Sequence, residues 1–277
     1  MFSPWYYWSG RRDPADHCCI NVATYGPGGR FTMTDRGRGA LRQSRDALVV
    51  GPSAMRWQDG RLIVEIDEVA SPPLVSRVRG RIELTPSAVF DGELALTPDR
   101  THVWRPFAPV ARVRVDLTQG HRWDGHGYFD ANFGSAALED DFRFWTWGRY
   151  PHAGGATCFY DAVRKDGSEL ATGLHFDPAT GVRSVDLPPK VPIARSLWAV
   201  RRETRADPGY RPRQVMGMLD APFYNRSMVR TRLDGAETVG VHEALDLRRF
   251  SSPLIKLMLA VRVPRRAGWT FGDGAAP

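Results

Sequence analysis

The sequence predicts an all-β protein of antiparallel strands arranged as a sandwich or barrel, with few and short helices. Apolar residues recur mainly with a period of two, which is typical of strands that are buried on one face. Turn signals such as Asp-Gly separate the alternating runs at short intervals. Segments with the helical period of 3.6 are few. Together these observations favour many short strands joined by tight turns.

Three segments carry the strand prediction most clearly. In residues 61–69, 76–86 and 111–117, valine, isoleucine and leucine alternate with arginine, glutamate and aspartate. The dipeptide Asp59-Gly60 directly before the first segment predicts a tight turn. Residues 39–48 are a candidate for a short helix, and they could equally form a strand.

The charge distribution indicates two β domains. Residues 1–140 hold 17 basic and 17 acidic residues, whereas residues 141–277 hold 21 and 14, which gives the whole chain its net charge of +7. A loop-like segment, residues 150–155, follows the change. We therefore expect an N-terminal domain over 1–140 and a C-terminal domain over 141–277, with the junction within about residues 135–150.

Several classes of protein are excluded or disfavoured. No stretch approaches the ~18 apolar residues of a membrane-spanning helix, and no secretory signal is visible. The three cysteines, Cys18, Cys19 and Cys158, have no spacing typical of disulfides or zinc sites, which favours a cytoplasmic protein with free thiols. No zinc spacing, RNP-like run or heptad-linked basic region points to nucleic acid.

The C-terminal end is basic and apolar. Residues 247–277 contain a single acidic residue, Asp273, beside the apolar string 254–259. The basic residues of this end are Arg248, Arg249, Lys256, Arg262, Arg265 and Arg266. Two interpretations fit: a peripheral contact with an anionic membrane, or a last strand with solvated arginines.

The richest segment for chemistry is residues 125–150. Because alternate residues of a strand share a face, its polar side chains at even positions would line one side, with Phe129 and Phe133 off that row. These polar residues are His126, Tyr128, Asp130 and Asn132. His102 and Trp104 repeat the same spacing, so two such strands would build an aromatic pocket containing a carboxyl group.

Structural roles are open for the same residues. Asp130 could cap a turn or pair with a buried arginine, His102 could be a core histidine, and Tyr128 and Trp104 could serve packing alone. No spacing supports a metal site of His102, His126 and Asp130, and we expect no metal. The acidic run 139–141 is expected to be solvated or structural, and no GxSxG nucleophile motif is present.

Three blocks of the chain resemble one family, the carotenoid 1,2-hydratases, also called hydroxyneurosporene synthases. They are the opening FSPWYYWSGRRDPADHCCINVATYGPGGRFTMTDRGRGAL, the central GYFDANFGSAALEDDFRFWTWGR and the closing RFSSPLIKLMLAVRVPRR. The similarity spans nearly the whole chain, and the central block is its most specific part. The resemblance implies two lipocalin-like β domains, in agreement with the period of two.

The resemblance also implies a lyase that uses no cofactor. Such an enzyme adds water across the terminal C1=C2 bond of an acyclic carotene, such as neurosporene or lycopene, and forms a tertiary 1-hydroxy carotenoid. Asp130 aligns with the expected proton donor, and His102, Trp104 and Tyr128 are expected in the same site. The neighbouring residues that we expect to contact substrate are Asn132, Phe129, Phe133 and Trp145.

A carboxyl group in an apolar pocket suits this reaction, because burial raises its pKa and keeps the proton on. Electron-rich rings would then stabilise the tertiary cation. We expect a hydrophobic carotene as substrate and peripheral association with the inner or intracytoplasmic membrane; the sequence indicates no oligomeric state. Two other functions remain open: a lipocalin-like pericyclase or isomerase acting on another polyene, and a carrier of apolar ligands.

Overall fold

The computed structural model describes residues 3–265 and is dominated by strands, with 54% strand and 11% helix, which confirms the all-β prediction. The strands of the first half are β1 Val22–Ala23, β2 Phe31–Thr32, β3 Leu41–Gln43, β4 Ala47–Val50, β5 Ser53–Gln58, β6 Arg61–Val69, β7 Arg77–Pro86, β8 Leu94–Ala95, β9 His102–Leu117 and β10 Arg122–Gly134. Those of the second half are β11 Phe142–His152, β12 Gly155–Arg164, β13 Glu169–Asp177, β14 Gly181–Ser184, β15 Lys190–Ile193, β16 Arg202–Arg205, β17 Arg213–Asp220, β18 Tyr224–Leu233 and β19 Ala236–Asp246.

The helices in the described range are short. They are α1 Pro4–Trp8, α2 Leu138–Asp141, α3 Leu247–Phe250 and α4 Pro253–Arg262, with 3-10 turns at Pro14–Asp16 and Arg38–Ala40. Within residues 3–265, no helix combines the length and the apolar character needed to cross a bilayer.

The strands pair into two large sheets and two hairpins. One sheet has the order β10-β9-β7-β6-β5-β4-β3, with β8 added to β9. The other has seven strands in the order β14-β13-β12-β11-β19-β18-β17. The hairpins are β1-β2 and β15-β16. Antiparallel pairing joins consecutive strands from β3 to β7, strands β8 and β9, and every pair of neighbours in the seven-stranded sheet.

The chain divides into two compact units that are both discontinuous in sequence. The first comprises 1–86, 112–127 and 253–277, and the second comprises 87–111 and 128–252. Strands β9 and β10 therefore each contribute residues to both units. The expected domains, 1–140 and 141–277, stay a prediction.

The first unit follows the alternation seen in the sequence. Ile66 of β6, Val78 of β7 and Val115 and Leu117 of β9 pack into one buried cluster, while the intervening charged side chains face outward. Asp59 and Gly60 adopt positive φ angles of 51° and 72°, as the tight turn between β5 and β6 requires.

The seven-stranded sheet of the second unit presents a different set of side chains on each face. Trp147 of β11 pairs with Tyr160 of β12 and with Glu243 of β19, so these three side chains share one face. On the other face, the Tyr150 hydroxyl lies 2.6 Å from Thr204 Oγ1, and His242 Nε2 lies 2.8 Å from the Glu203 carbonyl oxygen. The hairpin β15-β16 thus covers the second face.

The structure decides two alternatives that the sequence left open. Residues 39–48 contain strands β3 and β4 after a 3-10 turn, so the strand alternative is confirmed and the helix alternative is wrong. The last strand expected for the basic end is wrong, because α3 and α4 occupy that end. Arg266, also assigned to that basic end, lies outside the described residues.

Candidate active site

The centre of the site is a set of side chains on β9 and β10. Trp104 is almost completely buried on β9, and Tyr128 and Asp130 are half-buried on β10. All three residues belong to the second compact unit. The predicted alternation is the reason that they meet, since Tyr128 and Asp130 are two residues apart and share a face of their strand.

Asp130 accepts several hydrogen bonds on one of its oxygens. The Trp104 indole Nε1–H and the Tyr128 hydroxyl each donate to Asp130 Oδ2 at 2.7 Å. Trp104 Nε1 also lies 3.2 Å from the Tyr128 oxygen, and Asn132 Nδ2 lies 3.4 Å from the same Oδ2. Within the described residues, every hydrogen bond to this carboxyl group ends on Oδ2.

Burial raises the pKa of the Asp130 carboxyl group, because the charged form is poorly solvated there. The hydrogen bonds from Tyr128 and Trp104 act in the opposite direction. The negative charge of Glu243 adds to the increase, and the positive charge of Arg226 opposes it. Because Arg226 Nη2 lies 2.6 Å from Glu243 Oε1, these last two effects come from a single ion pair.

Aromatic rings surround these polar groups. The Tyr128 ring centroid lies 5.0 Å from that of Trp147, and the Trp104 centroid lies 5.6 Å from that of Tyr160. Trp145 extends the wall, 5.9 Å from Tyr160. The strands β11 and β12 thus supply an aromatic wall for the polar row of β9 and β10.

Tyr128 also lies near a buried cation. The Arg149 guanidinium carbon is 5.8 Å from the Tyr128 ring centroid, and Arg149 Nε donates to the Pro109 carbonyl at 2.6 Å. Burial lowers the pKa of Arg149 and raises that of the Tyr128 hydroxyl well above its ordinary value, with the Asp130 charge as the second cause for Tyr128. Tyr128 therefore remains a hydrogen-bond donor toward Asp130.

His102 is held by a different acid. Its Nε2 lies 2.7 Å from Asp141 Oδ2, and its ring packs against Phe142 at 5.2 Å. A carboxylate accepts only, so this geometry assigns the Nε2–H tautomer and leaves a lone pair on Nδ1. A Cβ at Gly134 would come within 2.9 Å of His102 Nδ1 and 2.3 Å of the Thr101 carbonyl oxygen, so this close approach of the backbone requires glycine.

Other predicted residues lie elsewhere. Phe129 stacks on Phe107 at 5.2 Å, and as a strand neighbour of Asp130 it faces the opposite side. Phe133 is half exposed, and His126 is exposed and belongs to the first unit. In the part of the chain that the structure describes, no group of three His, Cys, Asp or Glu side chains could hold a metal ion.

The sequence reasoning missed several members of the site. Asp141 was assigned only a solvated or structural role, yet it pairs with His102. Trp147 could have been found, because it is two residues from Trp145 in the same alternating run. Glu243 and Arg226 carry no local signal, since strand pairing brings them in from about a hundred residues away.

Comparison with known proteins assigns the chain to a family. The family model described as "Carotenoid hydratase CrtC" matches residues 1–272. The chain belongs to the CrtC family of carotenoid hydratases. It is an enzyme with hydratase activity.

Relatives within the CrtC family cover most of the chain. A protein of Cereibacter sphaeroides named "Acyclic carotenoid 1,2-hydratase" is 68% identical over 98% of this chain and 97% of its own length. A Rhodobacter capsulatus protein of the same name is 57% identical over 99% and 98%. One from Thiocapsa roseopersicina is 44% identical over 97% of this chain and 67% of its own length.

Proposed function

We propose that this CrtC hydratase adds water to the terminal C1=C2 bond of an acyclic carotene, such as neurosporene or lycopene, by acid catalysis without a cofactor. The product is a tertiary 1-hydroxy carotenoid. The names of the relatives support the reaction, and the observation that carries the mechanism is the hydrogen bonding of Asp130, whose Oδ2 accepts from Trp104 and Tyr128.

The acidic proton resides on Asp130 Oδ1. Two short hydrogen bonds occupy Oδ2, which acts as the carbonyl oxygen of the neutral acid. The proton on Oδ1 is then the one transferred to C2 of the alkene. As the O–H bond breaks and the C2–H bond forms, the electron pair of the double bond leaves C1 as a tertiary cation.

The surroundings of Asp130 suit both stages of this transfer. Burial raises the pKa of Asp130, which favours the neutral, protonated acid before the reaction. The donors Trp104 and Tyr128 are already placed to stabilise the carboxylate that the transfer creates, so no reorganisation is needed.

Aromatic faces stabilise the cation at C1. Trp104 and Tyr128 are two of these rings, and Trp147 and Tyr160 pack against them. Each face that the cation meets contributes ~0.5–2 kcal/mol. Water is the nucleophile that captures the cation in the proposed reaction.

His102 takes the proton from the attacking water. The Asp141 carboxylate fixes the Nε2–H tautomer, which leaves Nδ1 as the ring nitrogen that can accept a proton. Water adds to C1 through its oxygen while Nδ1 accepts one proton, and the resulting imidazolium is paired with Asp141. Exchange with solvent then returns a proton to Asp130. Asn132 is assigned no base role, because its amide nitrogen is directed at Asp130 Oδ2.

The substrate is a hydrocarbon that dissolves in bilayers rather than in water. We therefore place the enzyme in the cytoplasm, associated peripherally with an anionic inner or intracytoplasmic membrane.

The test is Asp130→Asn, assayed with lycopene in detergent and no added cofactor. The wild type is expected to form a product heavier by one water, with one deuterium at C2 when the reaction runs in D2O. Asp130→Asn keeps the shape of the side chain and is expected to lose activity while its thermal unfolding stays close to wild type. Asp140→Asn is the matched control, because Asp140 is exposed. Turnover by Asp130→Asn near the wild-type rate would falsify the assignment.

A further inference from the structure

Helix α4 has an apolar face that is exposed in the first compact unit. Leu254, Leu257, Met258 and Val261 are 64%, 61%, 42% and 60% exposed. Their spacing of i, i+3, i+4 and i+7 places all four on one side of the helix. Four neighbouring apolar side chains in contact with water mark a surface that binds something.

The opposite side of α4 is fastened to the unit, so this stripe is held outward. Ile255 and Lys256 are buried, and Lys256 Nζ lies 3.5 Å from the ring centroid of Tyr7. Trp5 of α1 donates its indole N–H to the Val263 carbonyl at 2.7 Å. Turning the helix to bury the stripe would break these contacts.

The surroundings of the stripe are basic and aromatic. Segments 3–12 and 253–265 contain no aspartate or glutamate. Apart from the buried Lys256, their basic residues are Arg11, Arg12, Arg262 and Arg265. Trp8, on the helix that packs against α4, is 48% exposed. Tryptophan beside arginine is the composition that proteins present to the interface of a bilayer.

We propose that α4 and α1 form a docking surface that inserts into the interface of an anionic lipid bilayer. The ten-residue helix spans about 15 Å, half of the ~30 Å hydrocarbon core, so it lies in the plane of the membrane with the stripe downward. The absence of acidic residues in the two segments selects anionic rather than neutral lipid. The choice of lipid over another protein rests on the proposed carotene substrate.

The test is sedimentation of the full chain with vesicles of equal parts phosphatidylglycerol and phosphatidylcholine. We expect binding that weakens in high salt and on vesicles of phosphatidylcholine alone. The double substitution Leu254→Ser and Leu257→Ser is expected to lower the partition coefficient about tenfold or more, because two exposed leucines no longer enter the lipid. Leu197→Ser, at a leucine that is 92% exposed in the second unit, is the matched control and is expected to bind normally.

Three outcomes would overturn the proposal: no sedimentation of the wild type, equal binding by the double variant, or a wild-type dimer in solution that the double variant dissociates. Activity on lycopene in detergent separates this proposal from the proposed function. Loss of vesicle binding with intact turnover in detergent supports the docking surface. Vesicle binding without any hydration would count against the proposed function and leave the surface standing.

Discussion

The sharpest consequence of the site geometry concerns Tyr128→Phe. This change removes only the hydroxyl that donates to Asp130 Oδ2 at 2.7 Å and leaves the ring against Trp147. The hydrogen bond strengthens as Asp130 becomes a carboxylate, so its loss costs more in the transition state than in the resting enzyme. A hydrogen bond to a charged group contributes about 1.5–3 kcal/mol, which corresponds to a decrease in kcat of roughly 10- to 100-fold.

Tyr128→Phe should lower the maximal rate and shift the alkaline limb of the pH profile to higher pH. In the proposed mechanism Asp130 acts in its protonated form, so activity is expected to be lost as the pH rises through the Asp130 pKa. The Tyr128 hydroxyl lowers that pKa, and its removal raises it further. The alkaline limb of kcat in Tyr128→Phe is therefore expected at higher pH than in the wild type, although the maximal rate is lower.

The assay is turnover of detergent-dispersed lycopene across a range of pH, with product measured by chromatography and mass. Tyr160→Phe is the control. Tyr160 lies in the same aromatic wall, and among the described residues it makes no hydrogen bond to Asp130. An unchanged kcat in Tyr128→Phe, or an alkaline limb displaced to lower pH, would refute the role given to this hydroxyl.

Three further predictions test neighbouring parts of the molecule. Trp104→Phe keeps a ring but loses the donor to Asp130, so it should retain part of the wild-type rate. Trp104→Ala also loses the ring and should retain far less. Equal rates for the two variants would argue that Trp104 serves packing alone. Asp141→Asn should lower kcat roughly tenfold or more at unchanged KM, because the carboxylate that fixes His102 is gone, and a wild-type kcat would remove His102 from the mechanism. Burial lowers the pKa of His242 to about 4 from 6.5, so the neutral ring stabilises the fold above pH 6.5 and that stability is lost as the pH falls toward 4. Urea unfolding should show a decrease of about 2 kcal/mol between about pH 7.5 and 5 that His242→Gln lacks; an equally steep decrease in the variant would contradict this.

The alternation of apolar and polar residues predicted the strands well, because it requires only that one face of the strand is buried and the other is exposed to solvent. Strand β6, Arg61–Val69, coincides with the predicted segment, and β7 begins one residue into its segment. The sequence left residues 39–48 open between helix and strand, because the connection between β3 and β4 contains no Gly or Pro that would mark a turn. That connection is closed instead by the Ser44 N–H donating to the Ala47 carbonyl at 2.8 Å.

The C-terminal segment was ambiguous in the sequence for a physical reason. A run such as residues 254–259 suits a buried strand or one face of a helix equally well. Helix α4 is stabilised where it is by Trp5 and Tyr7, about 250 residues earlier in the chain. Nothing local to the segment encodes those contacts, so its helical state could not be derived from it.

In the candidate site, too, contacts within one strand were predictable and contacts between distant segments were not. The spacing of Tyr128 and Asp130 on one strand made their proximity predictable, as did the spacing of His102 and Trp104 on another. The partner of His102 was not predictable, because the short helix α2, which ends at Asp141, determines where that side chain points. The sequence therefore predicted which side chains lie close together but not which acid pairs with His102.

The two oxygens of Asp130 resolve an apparent conflict in acid catalysis on an alkene. A carboxyl group with a raised pKa is a weaker acid, whereas an alkene needs a strong one. At Asp130, burial raises the pKa and favours the neutral form, and the donors Trp104 and Tyr128 are already placed on Oδ2 to stabilise the charge that the proposed transfer creates. In the proposed mechanism these donors interact more strongly with the carboxylate than with the acid, so they lower the barrier to proton transfer and also lower the Asp130 pKa, which burial raises.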